Sequence, residues 1–185
     1  MQAQLTYISF PDYLEAEESS QIRHEYLNGQ IFAMTGGSRE HNLITGNIHN
    51  RLKNYLRGSQ CQVFVSDMKV RIEKDDVSYY PDVVVTCNTQ DKEKFFLTKP
   101  CLIVEVLSPS TENIDRREKL MAYRKIEDLQ EYVIVSQDNV EVEVYLKDGQ
   151  GNWARQILGK NDAVHLISLD LQLTMTEIYE DVITL

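Results

Sequence analysis

The sequence predicts an α/β fold, a mixed sheet flanked by helices, in one domain spanning residues 1–185. Three observations predict it. Short apolar or alternating runs that read as strands are interspersed with segments of helical periodicity. The stretch "CLIVEVLS", 101–108, is almost continuously apolar, as a strand covered on both faces should be. No repeat, low-complexity tract or Pro/Ser-rich linker divides the chain, and 185 residues are enough for one core.

In order, "FPDYLEAEES" predicts a short helix set off by Pro11. "HEYLNGQIFAM" predicts a hairpin, because Asn28-Gly29 suits the positive φ angles of a tight two-residue turn. "TGGS" is a loop, and Ser38 is placed to cap a helix over 39–57. Ile44, Ile48, Leu52 and Leu56 recur every fourth residue and mark its buried stripe, and Gly58 stands where a terminating glycine belongs. "CQVFVSDMKVRI" alternates like one strand, and "DDVSYYPDVVVTC" reads as a turn and then a strand. After "CLIVEVLS", "PST" breaks the strand and a helix follows over about 112–126. "EYVIVSQDNVEVEVYLKDGQGNWARQIL" predicts a three-stranded meander turning at 138–139 and 149–151. "LTMTEIYED" predicts a last short strand and helix.

Composition narrows the function. No apolar run approaches the roughly 18 residues of a membrane span, so no membrane partner is expected. The acidic N-terminus is not a signal peptide, and a cytoplasmic location is the default expectation. Cys61, Cys87 and Cys101 are scattered without a CxxC pair, so neither a disulfide nor a zinc site is expected. The net charge of −10 speaks against a nucleic-acid partner, but its distribution is uneven. Residues 1–38 carry −4 and residues 128–185 carry −8, whereas 39–127 carry +2. Local field rather than total charge governs the approach of a polyanion. An acidic protein with a merely less acidic middle fits the same numbers.

Asp82 and Glu105 are the informative residues, each a carboxylate in an apolar strand. Burying such a charge is costly without compensation, and two on neighbouring strands repel unless a cation lies between them. A hard divalent ion such as Mg²⁺, which takes carboxylate oxygens and waters, is one solution. Carboxylates at strand ends that reach solvent or an arginine are another. In "STENIDRREKLMAYRKI", Asp115, Lys119 and Tyr123 are spaced four apart and share a helix face, from which Lys119 could reach back toward Glu105. The same spacing also describes a surface ion pair. Glu25 opens the hairpin, and His41 lies in the first turn of the long helix, where a cap or surface role is equally open. Ser108 and Ser110 read as turn and cap residues. The basic residues Arg116, Arg117, Lys119, Arg124 and Lys125 suit either a phosphate backbone or a solvated helix face. No P-loop, GxSxG, HExxH or GxGxxG motif occurs.

Taken together, "PD" at 81–82, "IVEVLSPST" at 103–111, the Asp115/Lys119/Tyr123 series and "HEYLNGQIFAMTGGSREH" at 24–41 resemble the Uma-type family of "putative restriction endonucleases". That family lies within the PD-(D/E)XK nuclease superfamily. The resemblance covers nearly the whole chain. It implies a restriction endonuclease-like core in which Asp82 and Glu105 bind Mg²⁺ or Mn²⁺ and Glu25 and His41 complete the site. It further implies phosphodiester hydrolysis in DNA and a homodimer. The sequence departs from the superfamily pattern at Leu107, where the motif places lysine; Lys119 on the next helix is the expected replacement. A catalytically inactive domain of this fold that binds nucleic acid or a protein partner is the alternative. Convergence of the five side chains discriminates between the two, and a third reading, hydrolysis of another phosphate ester, would call for a more closed pocket.

Overall fold

The structure is a computed structural model and describes residues 7–108 and 112–183. Helix α1 (Phe10–Ser19) is capped by Ser9, with Pro11 in its first turn, where a missing N–H costs nothing. Strands β1 (His24–Leu27) and β2 (Gln30–Ala33) form the expected hairpin, its turn made by Asn28 at φ 48° and Gly29 at φ 81°. A side chain at Gly29 would also collide with the Tyr7 ring. Helix α2 (Arg39–Tyr55) is capped by the Ser38 hydroxyl, which accepts from His41 N at 3.0 Å. Its predicted stripe is buried throughout, and Gly58 turns the chain away at φ 84°.

Two predicted strands are each divided in two. The run 61–72 becomes β3 (Gln62–Val65) and β4 (Lys69–Ile72), which lie in different sheets. Ser66, at φ 57°, turns the chain between them and donates its N–H to the Asp82 carbonyl. Likewise 75–87 becomes β5 (Val77–Tyr79) and β6 (Val83–Thr86), with Tyr80–Asp82 crossing over. Alternation marked the extended residues correctly but carries no signal for a sheet switch. A short strand absent from the expectation, β7 (Phe96–Leu97), pairs in parallel with β4.

Strand β8 (Leu102–Leu107) is buried along its whole length, as its composition predicts. It pairs antiparallel with β6 and parallel with β9 (Glu131–Ser136). The meander continues through β10 (Glu141–Lys147) and β11 (Trp153–Gly159). The six-stranded sheet runs β11-β10-β9-β8-β6-β3, and the five-stranded sheet runs β2-β1-β5-β4-β7. The predicted helix over 112–126 winds as a π-helix at Ile114–Lys119 before becoming α3 (Leu120–Tyr123). At the C-terminal end the expected single strand is a hairpin, β12 (Ala163–Leu166) and β13 (Leu171–Thr174), followed by α4 (Met175–Ile178). The break at "PST", including Ser110, lies outside the described residues.

The six-stranded sheet separates two cores. Val83, Val85, Val104 and Val106 pack against Ile44, Ile48 and Leu52 of α2. On the opposite face Val84, Ile103, Leu107 and Ile134 pack with the five-stranded sheet and with Leu120 and Tyr123 of α3. By this alternation Glu105 points with Ile103 and Leu107 toward the helix that ends in α3.

The cysteine expectation is corrected. Cys61 and Cys87 form a disulfide that bridges β3 and β6. These strands pair Gln62 with Thr86, so the cysteines stand opposite each other one step further along. A separation of 26 residues gave no hint of this, because only the strand register brings them together.

Candidate functional site

The β6–β8 register aligns Val83 with Val104, which sets Asp82 opposite Glu105 at the next step. The Asp82 N–H points toward Glu105 Oε2 at 3.4 Å, and Asp82 Oδ2 accepts from Val106 N at 2.7 Å. His41 comes from the first turn of α2, with Nε2 3.2 Å from Asp82 Oδ2. Lys119, the last residue of the π-helical segment, places Nζ 3.1 Å from Glu105 Oε1, 3.2 Å from Glu25 Oε1 and 3.1 Å from Asp115 Oδ1. All five residues predicted from the sequence therefore meet in one place, drawn from β1, α2, the β5–β6 crossover, β8 and the π-helix.

Two residues belong here that the sequence reading did not assign to the site. Asp115 and Lys119 are only 1% and 4% exposed, so their spacing is not that of a surface pair. Tyr123 is fully buried and donates its hydroxyl to Glu105 Oε1 at 3.0 Å. The four-residue spacing had grouped both with Lys119; what it could not show was which face of the helix is buried. Tyr132 supports the turn from below by donating to the Asp115 carbonyl at 3.0 Å. Gly37 is also part of the construction, since a Cβ there would lie 2.8 Å from His41 Nδ1.

Of the basic cluster on this helix, Lys119 enters the site and Arg117 is exposed, while the other three are engaged elsewhere. Arg116 pairs with Glu112 and Glu143, Lys125 pairs with Asp75, and Arg124 lies over the Tyr145 and Trp153 rings.

The electrostatics follow from the burial. Four carboxylates, Glu25, Asp82, Glu105 and Asp115, share a recess with Lys119 and His41. Burial pushes Glu105 well above the usual carboxylate range, and the other carboxylates add to this against the pull of Lys119. Burial alone would push Lys119 down, but Glu105, Glu25 and Asp115 outweigh it and hold the ammonium charged. For His41 burial is likewise outweighed, here by the hydrogen bond and charge of Asp82, and its pKa is raised. One lysine and one imidazole face four carboxylates, so the recess has room electrostatically for a further cation. Its donor atoms are hard oxygens, with Asp82 and Glu105 side by side. Asp115 Oδ1 faces Lys119 as an ion pair but has no hydrogen-bond partner. This donor set fits a hard divalent ion that uses one or two carboxylates and keeps several waters. Among the described residues no three His, Cys, Asp or Glu side chains form a cage for a metal, so the protein would supply only part of the coordination sphere.

The recess opens to a cleft of about 370 Å³, walled by residues 21–23 and 34–37 and floored by Asp82, Glu105 and Lys119. Among the described residues no helix is long and apolar enough to cross a membrane.

Comparison with known proteins adds kinship to this geometry. The family model "Uma2: Putative restriction endonuclease" matches residues 10–176. The uncharacterized protein slr1290 of Synechocystis sp. is 39% identical over 173 residues, covering 93% of this chain and 91% of its own. A second Synechocystis protein, the uncharacterized sll1609, is 35% identical over 154 residues, covering 81% and 87%. The crystal structure of "a putative nuclease belonging to DUF820" from Anabaena variabilis matches with a TM-score of 0.78 at 17% identity, covering 95% of this chain and 99% of that one. At that identity the likeness is one of fold.

Proposed function

Because the chain belongs to the family described as "Uma2: Putative restriction endonuclease", we propose that it is a metal-dependent nuclease of the PD-(D/E)XK type. In this reading it hydrolyses phosphodiester bonds in DNA. The observation that carries the proposal is convergence: His41, Asp82, Glu105 and Lys119 meet in one cleft, with Glu25 bound to Lys119 behind it, although they lie up to 94 positions apart between Glu25 and Lys119. A non-catalytic scaffold has no need to gather three carboxylates around one lysine with a fourth beside them, an arrangement that costs stability.

Asp82 and Glu105 would hold Mg²⁺ or Mn²⁺. When bound, such an ion polarises a phosphoryl oxygen and lowers the pKa of water. Lys119 does the work of the lysine missing at Leu107. Its ammonium stays fixed beside Glu105 and offers positive charge to phosphoryl oxygens as they become more negative. Its own position is held by Glu25 and Asp115. His41 and the Val106 N–H hold Asp82 Oδ2 and so fix which way the carboxylate faces. Hydrolysis adds water across the P–O bond, with hydroxyl to phosphorus and a proton to the departing oxygen.

The test combines calorimetric titration of Mg²⁺ and Mn²⁺ with plasmid nicking, on wild type, Asp82→Ala and Lys119→Met. Metal binding and nicking are both lost in Asp82→Ala. Lys119→Met binds metal but nicks about 10²-fold more slowly. Metal binding with cleavage of neither the plasmid nor a single-stranded oligonucleotide in the wild type overturns the nuclease reading in favour of a binding domain.

A further inference from the structure

The depth of the site and the character of its rim bear on which nucleic acid can enter. The side chains of Glu105 and Lys119 are 4% and 6% exposed, and those of Asp82 and His41 are both 17% exposed. The reacting groups thus lie at the bottom of the cleft. A volume of about 370 Å³ is that of a small-molecule pocket. A phosphate in a regular duplex is fixed on a stiff rod beside a second strand and cannot descend into such a space. An unpaired strand can be splayed, with one nucleotide lowered into the pocket.

Two exposed apolar side chains stand near the site, one in the cleft wall and one on the hairpin that carries Glu25. Phe32 on β2 stands directly opposite Glu25 on β1, so the two side chains project from the same face of the hairpin. Glu25 reaches Lys119, and Phe32 beside it is 49% exposed. Ile22, in the cleft wall, is 57% exposed. An aromatic ring held next to a phosphate-binding floor is a stacking platform for a base, and such stacking does not depend on sequence. It also suits a chain of net charge −10 in which Arg116, Arg124 and Lys125 are engaged within the protein, because stacking needs no array of free cations.

We propose that the substrate is a single, unpaired nucleic-acid strand, and that Phe32 stacks the base adjacent to the phosphate lowered toward Lys119 and the ion that Asp82 and Glu105 would hold. This rests on the nuclease reading and specifies its substrate class. One site then suffices for each cut, and the homodimer expected of an enzyme that severs both strands of a duplex is not required.

The experiment measures cleavage by the full chain with Mn²⁺ on three substrates. They are an end-labelled single-stranded DNA oligonucleotide, the blunt duplex of the same sequence, and bis(p-nitrophenyl) phosphate, a small diester without bases. The wild type cleaves the single strand at least about tenfold faster than the duplex. Phe32→Ala lowers the single-strand rate about tenfold and weakens single-strand binding in fluorescence anisotropy, whereas Phe32→Trp retains both. Thermal melting of both variants verifies that they fold. Equal or faster cleavage of the duplex overturns the proposal, as does a Phe32→Ala variant that folds and cleaves the single strand like the wild type. Hydrolysis of the small diester alone, with neither oligonucleotide cut, overturns it while leaving a phosphodiesterase. Inactivity toward all three overturns the nuclease reading and this proposal with it.

Discussion

At the scale of single residues, the site is a set of like charges held together by one lysine. Glu105 is buried with its charge opposed by Asp115, Asp82 and Glu25, while Lys119, the Tyr123 hydroxyl and the Asp82 N–H favour it. Glu105→Gln removes a repulsive charge while keeping the shape and the contact with Tyr123. The metal-free variant should therefore melt higher than the wild type, by about 1 kcal/mol of stability, while losing the rise in melting temperature that Mn²⁺ gives the wild type. Scanning calorimetry with and without the ion checks both halves. A second residue acts by being small. Gly37 lets the loop pass the imidazole, and a Cβ would stand 2.8 Å from His41 Nδ1. Gly37→Ala must displace the ring and, through it, the carboxylate of Asp82. Nicking activity should fall by about 10²-fold, with far-ultraviolet circular dichroism unchanged. These positions differ in what the sequence disclosed. Asp82 and Glu105 were legible because a carboxylate inside an apolar strand is anomalous by itself. The role of Gly37 depends on a neighbour's ring position, which no pattern of residue types records.

At the scale of elements, the sequence disclosed period but not sheet membership. Helix α2, strand β8 and the meander β9–β11 were legible because each repeats one environment along its length. The divisions at Ser66 and at Tyr80–Asp82 were not, because residues on both sides remain extended and only their hydrogen-bond partners change. Those crossovers are what bring Asp82 to the boundary of the two sheets. The same limit applies to the helix after β8, whose π winding is a matter of hydrogen-bond register. The β4–β5 turn supports a pH prediction. Asp76 sits there at φ 51°, accepting from the Tyr26 hydroxyl at 3.2 Å and from Arg71. Burial pushes its pKa up, but the hydrogen bonds from Arg71 and Tyr26 outweigh burial and hold the carboxyl below its usual range. A group depressed in the folded state stabilises the fold above its unfolded pKa, near 3.9. That contribution is lost as pH falls through the folded value. Asp76→Asn should thus lower stability to urea at pH 7 and have a smaller effect at pH 3. Equal losses at both values would assign its role to turn geometry instead.

At the scale of the whole molecule, the two ends of strand β6 carry different constraints. One end leads in from Asp82, where four carboxylates repel, and the other continues to Cys87, tied to Cys61 on β3. Strand β3 is an edge of the six-stranded sheet, so the disulfide anchors an element that has a neighbour on one side only. Closing a loop across 26 positions restricts the unfolded chain, and the chain-entropy relation makes this worth about 3.5 kcal/mol. Reduction, or Cys61→Ser, should lower the free energy of unfolding by up to that amount. The expectation of reduced, independent cysteines failed because it counted spacing along the chain, whereas the bond follows from register across the sheet. The metal should act in the same direction from the other end. An ion that binds only the folded chain stabilises it by RT ln(1 + [L]/Kd), about 2.7 kcal/mol at a hundredfold excess over Kd. The disulfide and the proposed ion site lie at opposite ends of β6 and share no residue, so their effects should be additive within about 0.5 kcal/mol. Urea unfolding of wild type and Cys61→Ser, each with and without saturating Mn²⁺, measures the four corners of that cycle. A coupling well above 0.5 kcal/mol would mean that β6 transmits strain from the disulfide to Asp82, and that the redox state of the cysteines sets the metal affinity of the site.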